Sequence, residues 1–122
     1  MIFSKSKAAH LQKGENAEQQ ALNYLQKQGL KLVSSNFRCK HGELDIVMKD
    51  KDILVIVEVR FRNSDRFGGA LASITTQKQA RIIAATQYYV IINKLHHLGI
   101  RFDVVAITSD QKFDWIKNAF QT

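Results

Sequence analysis

The sequence predicts an α/β domain in which one mixed sheet is flanked by helices, in the order α-β-β-β-α-β-α. Apolar residues recur at helical spacing from about Gly14 to Gln28 and again from Thr75 to Lys94. Between these helices, the apolar run from Ile53 to Phe61 is long enough to be a strand covered on both faces. The strand–helix–strand passage from that run to Arg101–Ile107 permits a parallel pairing inside a mixed sheet.

Residues 1–12 are mixed and basic, a flexible lead-in to the domain. The first helix carries Ala17, Ala21, Leu22, Tyr24 and Leu25 on one side and stops at Gly29, a common helix terminator. Leu30 to Cys39 reads as a first strand, interrupted by the polar Ser34-Ser35-Asn36. Glu43 to Met48 is a second strand, and Lys49-Asp50-Lys51-Asp52 a tight turn into the third. Asn63 to Ser73, with Gly68-Gly69, is loop-like. The long helix presents Ala80, Ile83, Ala84, Val90 and Ile91 and ends at His96-His97-Leu98-Gly99. Arg101 to Ile107 is a fourth strand, and Trp115 to Phe120 is expected to form a short closing helix.

With 122 residues the chain suits one domain spanning 1–122, built on one core. The 18 Lys and Arg outnumber the 11 Asp and Glu, for a net charge of +7. Such a surplus points to a polyanionic partner, nucleic acid before an anionic membrane. Cys39 is the one cysteine, which excludes an intrachain disulfide and a cysteine zinc cluster. No stretch approaches the ~20 apolar residues of a membrane span, and the amino terminus lacks a secretory core. The expected location is the cytoplasm.

Two acids stand where acids are costly. Glu58 interrupts an apolar strand, and Asp45 lies between Leu44 and Ile46-Val47. A buried carboxylate needs a compensating cation. Strand alternation puts Glu58 and Arg60 on one face, and a turn centred near Lys51-Asp52 sets Asp45 opposite Glu58. Two carboxylates that close repel unless a proton or cation stands between them, and Mg²⁺ or Mn²⁺ suits their oxygens. Glu18 borders the buried stripe of the first helix and is a candidate third acid. The competing reading is a structural ion pair of these acids with Arg60, Arg62 or Arg38.

Taken together, Gly14, Glu18, Tyr24-Leu25, Asn36, Arg38, Gly42-Glu43-Leu44-Asp45, Val57-Glu58-Val59-Arg60, Arg62, Phe67-Gly68, Lys78, Arg101-Phe102-Asp103-Val104-Val105 and Trp115-Ile116 resemble the YraN-type bacterial family. That family is grouped with restriction-endonuclease-like and Holliday-junction-resolvase-like nucleases. The resemblance covers Gly14 to Phe120. It implies a restriction-endonuclease-like αβββαβ core with a site written as acid, spacer, acid-x-lysine. Asp45 and Glu58 match the two acids, Glu18 the helical acid, and all three would be metal ligands. Arg60 occupies the lysine position. An arginine stays charged at working pH, so water activation would rest on the metal.

Arg38, Lys40, Arg62, Arg66, Lys78 and Arg81 are the candidate phosphate contacts, which position a duplex without reading its sequence. His41 is close enough in sequence to the acids to assist them. Asp103 reads as a structural partner of Arg101. Three functions fit these residues: a metal-dependent DNA endonuclease for branched or damaged DNA, a nucleic-acid-binding protein of nuclease fold with little catalysis, or an assembly factor using the fold as an interaction surface. The chain leaves room for a homodimer.

Overall fold

The protein is described from a computed structural model over residues 17–62, 72–108 and 110–122, without the side chain of Arg62. The expected lead-in at 1–12, the helix start near Gly14, residues 63–71 of the predicted loop, and Arg66 lie outside the described residues.

The described chain runs α1 (residues 17–27), β1 (Lys31–Cys39), β2 (Gly42–Asp50), β3 (Ile53–Arg62), α2 (Thr76–Ile92), β4 (Gly99–Thr108) and β5 (Phe113–Phe120). It is a mixed α/β architecture. The five strands form one sheet in sequential order, antiparallel throughout except for the parallel β3–β4 pair. α2 makes the crossover that a parallel connection requires.

Local chemistry explains the boundaries. Gly29 follows α1 with φ +102°, a conformation glycine adopts without steric cost. The β2–β3 turn is tighter than the four polar residues suggested, because Asp50 pairs with Ile53 and only Lys51 and Asp52 lie between. Thr75 caps α2, its hydroxyl accepting from the Lys78 N–H at 3.1 Å.

Alternating side chains divide the core into two layers. On one face Ala17, Ala21 and Leu25 of α1 pack on Ile46, Met48, Val55, Val57, Val105 and Ile107. On the other, Ile82, Ala85 and Tyr89 of α2 pack on Val47, Leu54, Ile56, Phe102 and Val104. β3 is therefore covered on both faces, as its apolar run predicts.

The expected closing helix at Trp115–Phe120 is instead part of strand β5. Unpaired, the outer side of β4 would expose a row of backbone donors and acceptors, and β5 satisfies them. Phe113 and Trp115 belong to the α1 layer, where Tyr24 stacks on Phe113 at 4.6 Å. Ile116 and Phe120 belong to the α2 layer. A register shift between Phe102 and Val104 and the positive φ of Asn118 break the regular pairing, and Ala119 joins Ile116 and Phe120 in the α2 layer at helix-like spacing. That break hides the strand in the sequence.

Asp103 fastens this irregular edge. Fully buried, it accepts from Arg101 Nε and Nη2, Trp115 Nε1 and the Asn118 N–H, all at 2.9 Å. Its structural reading holds, with β5 as an added partner. Arg101 also reaches Asp50 of β2 at 3.6 Å. Replacing Asp103 by Ala strands a guanidinium and two N–H donors, and should cost about 3–5 kcal/mol in urea unfolding. A loss under about 1 kcal/mol, the scale of an exposed pair, would contradict this role.

Candidate functional site

The site forms where β2 and β3 stop pairing. Their ladder runs from Asp50–Ile53 to Ile46–Val57, and one step further the same register brings Asp45 beside Glu58. Asn36, across β1 from Asp45, has φ +55°, and regular β1–β2 pairing skips this position. The sheet is irregular at Asp45. The irregularity aims the Asp45 side chain into the gap, where its Oδ2 accepts the Val59 N–H at 3.0 Å. A side chain thus takes a donor that strand pairing leaves over.

Glu58 is 4% exposed and lies on the α2 face of β3, the face of Leu54 and Ile56. The same register sets its carboxyl beside that of Asp45, and the two charges oppose each other. Arg60, two residues on and on the same face, brings Nη2 to Glu58 Oε2 at 3.1 Å. The guanidinium is fixed by two further contacts, Nε to Ser73 Oγ at 3.1 Å and Nη1 to the Val59 carbonyl at 3.4 Å. Lys78, from the first turn of α2, brings Nζ to the same Glu58 oxygen at 3.7 Å. Two acids and two bases therefore share one partly buried cluster.

Burial pushes the Glu58 carboxyl up to about 7, helped by the neighbouring Asp45 and opposed by Arg60 and Lys78. Burial likewise raises Asp45, against the pull of the Val59 N–H and Arg60. Desolvation and mutual repulsion outweigh two adjacent cations. The pair thus favours a bound proton, or another positive charge in its place.

The other sequence candidates are dispersed. Glu18 lines a depression on the α1 face with Gln19, Leu22, Ser35, Asn36 and Ile46. Among the described residues no three His, Cys, Asp or Glu side chains converge as a metal-holding group, so Asp45 and Glu58 stand as a pair and not as part of a triad. Arg38 pairs with Glu43 at 3.0 Å on the exposed surface, so among the described side chains the suggested ion pair with the buried acids falls to Arg60 and Lys78. Lys40 and Arg81 are exposed. The His41 ring lies 5.8 Å from Tyr88, about 15 Å along α2 from Lys78, rather than at the acids.

Lys78, expected as a phosphate contact, also stands at the acids, and Ser73 is an added partner of Arg60. No local pattern in the sequence places either one there. Their proximity to Glu58 and Arg60 comes from the crossover that returns the chain over β3.

The electrostatics fix a pH dependence. An acid whose folded pKa is raised leaves the native state holding more protons than the unfolded state between the two values. Metal-free stability should therefore fall as pH rises from about 4.5 through 7, by on the order of 3 kcal/mol at most. Glu58→Gln should flatten this fall, matching the parent near pH 5 and exceeding it above pH 7. Denaturant unfolding across pH checks it; parent stability that rises from pH 5 to 8 would refute it.

Comparison with known proteins adds a family. The family model described as "Uncharacterised protein family UPF0102" matches residues 17–107, which include Asp45, Glu58, Arg60 and Lys78. A UPF0102 protein of Nitrosococcus oceani is 48% identical over 118 residues, covering 93% of this chain and 95% of its own. One from Pseudomonas fluorescens is 48% identical over 116 residues, covering 93% and 97%. One from Legionella pneumophila is 49% identical over 111 residues, covering 89% and 94%. On this evidence the chain belongs to the UPF0102 family.

Proposed function

We propose that this protein is a divalent-metal-dependent DNA endonuclease of restriction-endonuclease-like fold, acting on branched or damaged DNA in the cytoplasm. The observation that carries the reading is the adjacency of Asp45 and Glu58 at the end of the β2–β3 ladder, with Arg60 and Lys78 beside them. The element order α-β-β-β-α-β and the net charge of +7 support it.

The donor set fits Mg²⁺ or Mn²⁺. Two neighbouring hard carboxylates would suit such a cation. Asp45 and Glu58 would hold it. When bound, such an ion activates a water and stabilises charge developing on phosphate oxygens.

The chain's own residues supply the rest. The Val59 N–H fixes one Asp45 oxygen. Arg60, held by Ser73 and the Val59 carbonyl, is preorganised to stabilise an anionic transition state but stays protonated. Lys78 is half-exposed at the mouth of the cluster, where an ammonium can meet the scissile phosphate. It brings an amine back to a site whose expected lysine position holds Arg60. The surface cations Lys40 and Arg81 would then hold neighbouring phosphates.

The three-point anchoring of Arg60 favours a second reading, a DNA-binding protein whose acids serve as ion-pair partners. Thermal melts and cleavage assays on linear, flapped and four-way DNAs separate the two. On the nuclease reading, Mg²⁺ at a hundredfold excess over Kd stabilises the parent by about 2.7 kcal/mol. Asp45→Asn abolishes both that gain and cleavage, and Lys78→Ala slows cleavage by on the order of 10²-fold. Arg60→Lys raises the rate. If Mg²⁺ leaves the parent's melting unchanged and Asp45→Asn destabilises it in metal-free buffer, the ion-pair reading replaces this one.

A further inference from the structure

Tyr88 lies on a flank of α2 and is 39% exposed. Its ring is nevertheless held in place. Phe37 of β1 lies 6.3 Å away at 32°, and His41 of the β1–β2 turn lies 5.8 Å away at 56°. Phe37 is itself anchored edge-on against the buried Tyr89 at 4.9 Å and 82°. The exposed aromatic surface thus rests on the core.

Gly42 makes this arrangement possible. A Cβ there would stand 3.2 Å from the Arg81 carbonyl oxygen and 3.3 Å from the Arg81 Cβ. The β1–β2 turn is therefore seated directly on α2. That contact brings the exposed Lys40 and His41 to the same side of the molecule as Arg81 and Tyr88. Lys78, Arg81 and Tyr88 follow one another at offsets of three and seven, along one flank of the helix. The flank runs from the Asp45–Glu58 cluster, past a cation, to the aromatic surface.

A flat aromatic face bordered by cations matches a nucleobase with its phosphates. A protein partner fits less well, since lysine is depleted from interface cores. A base inside a duplex already has its faces stacked, so the occupant must be unpaired. We propose that Tyr88, backed by Phe37 and His41, is a stacking site for an unpaired base of DNA. The substrate would carry a single-stranded segment next to the cleaved duplex. From Lys78 to Tyr88 is about 15 Å, at 1.5 Å per helical residue. At roughly 3.4 Å per nucleotide the stacked base lies about four to five nucleotides from the phosphate at Lys78. This inference rests on the nuclease reading of the Asp45–Glu58 site for its geometry, but base stacking can be measured without cleavage.

The test uses the full chain in metal-free buffer with DNA hairpins, blunt or ending in a tail of about six nucleotides that carries 2-aminopurine, a length set by the nucleotide spacing above. The parent should bind the tailed hairpin more tightly and quench its fluorescence. Tyr88→Ala should weaken tailed binding about tenfold, abolish quenching and leave blunt binding unchanged. Tyr88→Phe should keep both properties, and His41→Ala should give a smaller loss of the same kind. The salt dependence of binding should stay as in the parent, because stacking releases no counterions. Parental binding of the tailed hairpin by Tyr88→Ala would overturn the proposal. So would equal losses in the Phe and Ala variants, or a dimer that Tyr88→Ala dissociates in sedimentation while tailed binding is unchanged. A chain that cleaves no DNA yet shows the Tyr88 effect would refute the nuclease reading alone. Mg²⁺-dependent cleavage with no Tyr88 effect would refute the stacking site alone.

Discussion

The Val59 N–H donates to a carboxylate instead of to a neighbouring strand, and the candidate site follows from that one substitution. Had β2 and β3 continued pairing past Ile46 and Val57, Asp45 would be an ordinary strand residue. Because the ladder ends there, its side chain turns into the gap and meets Glu58. Glu58 cannot move away, since β3 is gripped by β4 on its other side through ten residues of parallel register. The cluster is thus held by backbone hydrogen bonding.

The protein carries a second buried acid, and the contrast between the two sites is informative. Asp103, on the α1 side, meets Arg101, Trp115 and Asn118 and has its bonding capacity filled. An acid so surrounded is a structural fastener. Asp45 and Glu58 are partnered too, yet the opposing cations fail to offset burial and mutual repulsion. Acids that keep such a cost are expected at functional sites more than in scaffolding.

Much of this was legible in the sequence. Asp45 and Glu58 could be matched because turn position fixes register in a hairpin, and both residues lie within seven positions of the Lys51-Asp52 turn. Glu58 in an apolar run announced itself by the cost of burying it. Two features were not legible. β5 reads as a helix because Ile116, Ala119 and Phe120 recur at helical spacing across the Asn118 irregularity, which depends on Asp103, fifteen residues earlier. The place of Lys78 beside the acids and the exposed ring of Tyr88 are illegible for a related reason. Helix spacing shows which α2 residues share a flank, but not that the β1–β2 turn at Gly42 docks there.

The central claim is that a proton between Asp45 and Glu58 occupies a place made for a metal cation. Isothermal titration of the metal-free protein with Mn²⁺ near pH 6.5, in buffers of different ionisation enthalpy, tests it most directly. The account predicts one binding event that releases on the order of one proton, because the ligands must deprotonate to take the metal. Release should shrink as pH rises past 7, where Glu58 is already ionised, and Asp45→Asn should abolish the event. No binding, or binding that releases no proton at pH 6.5, would contradict the account.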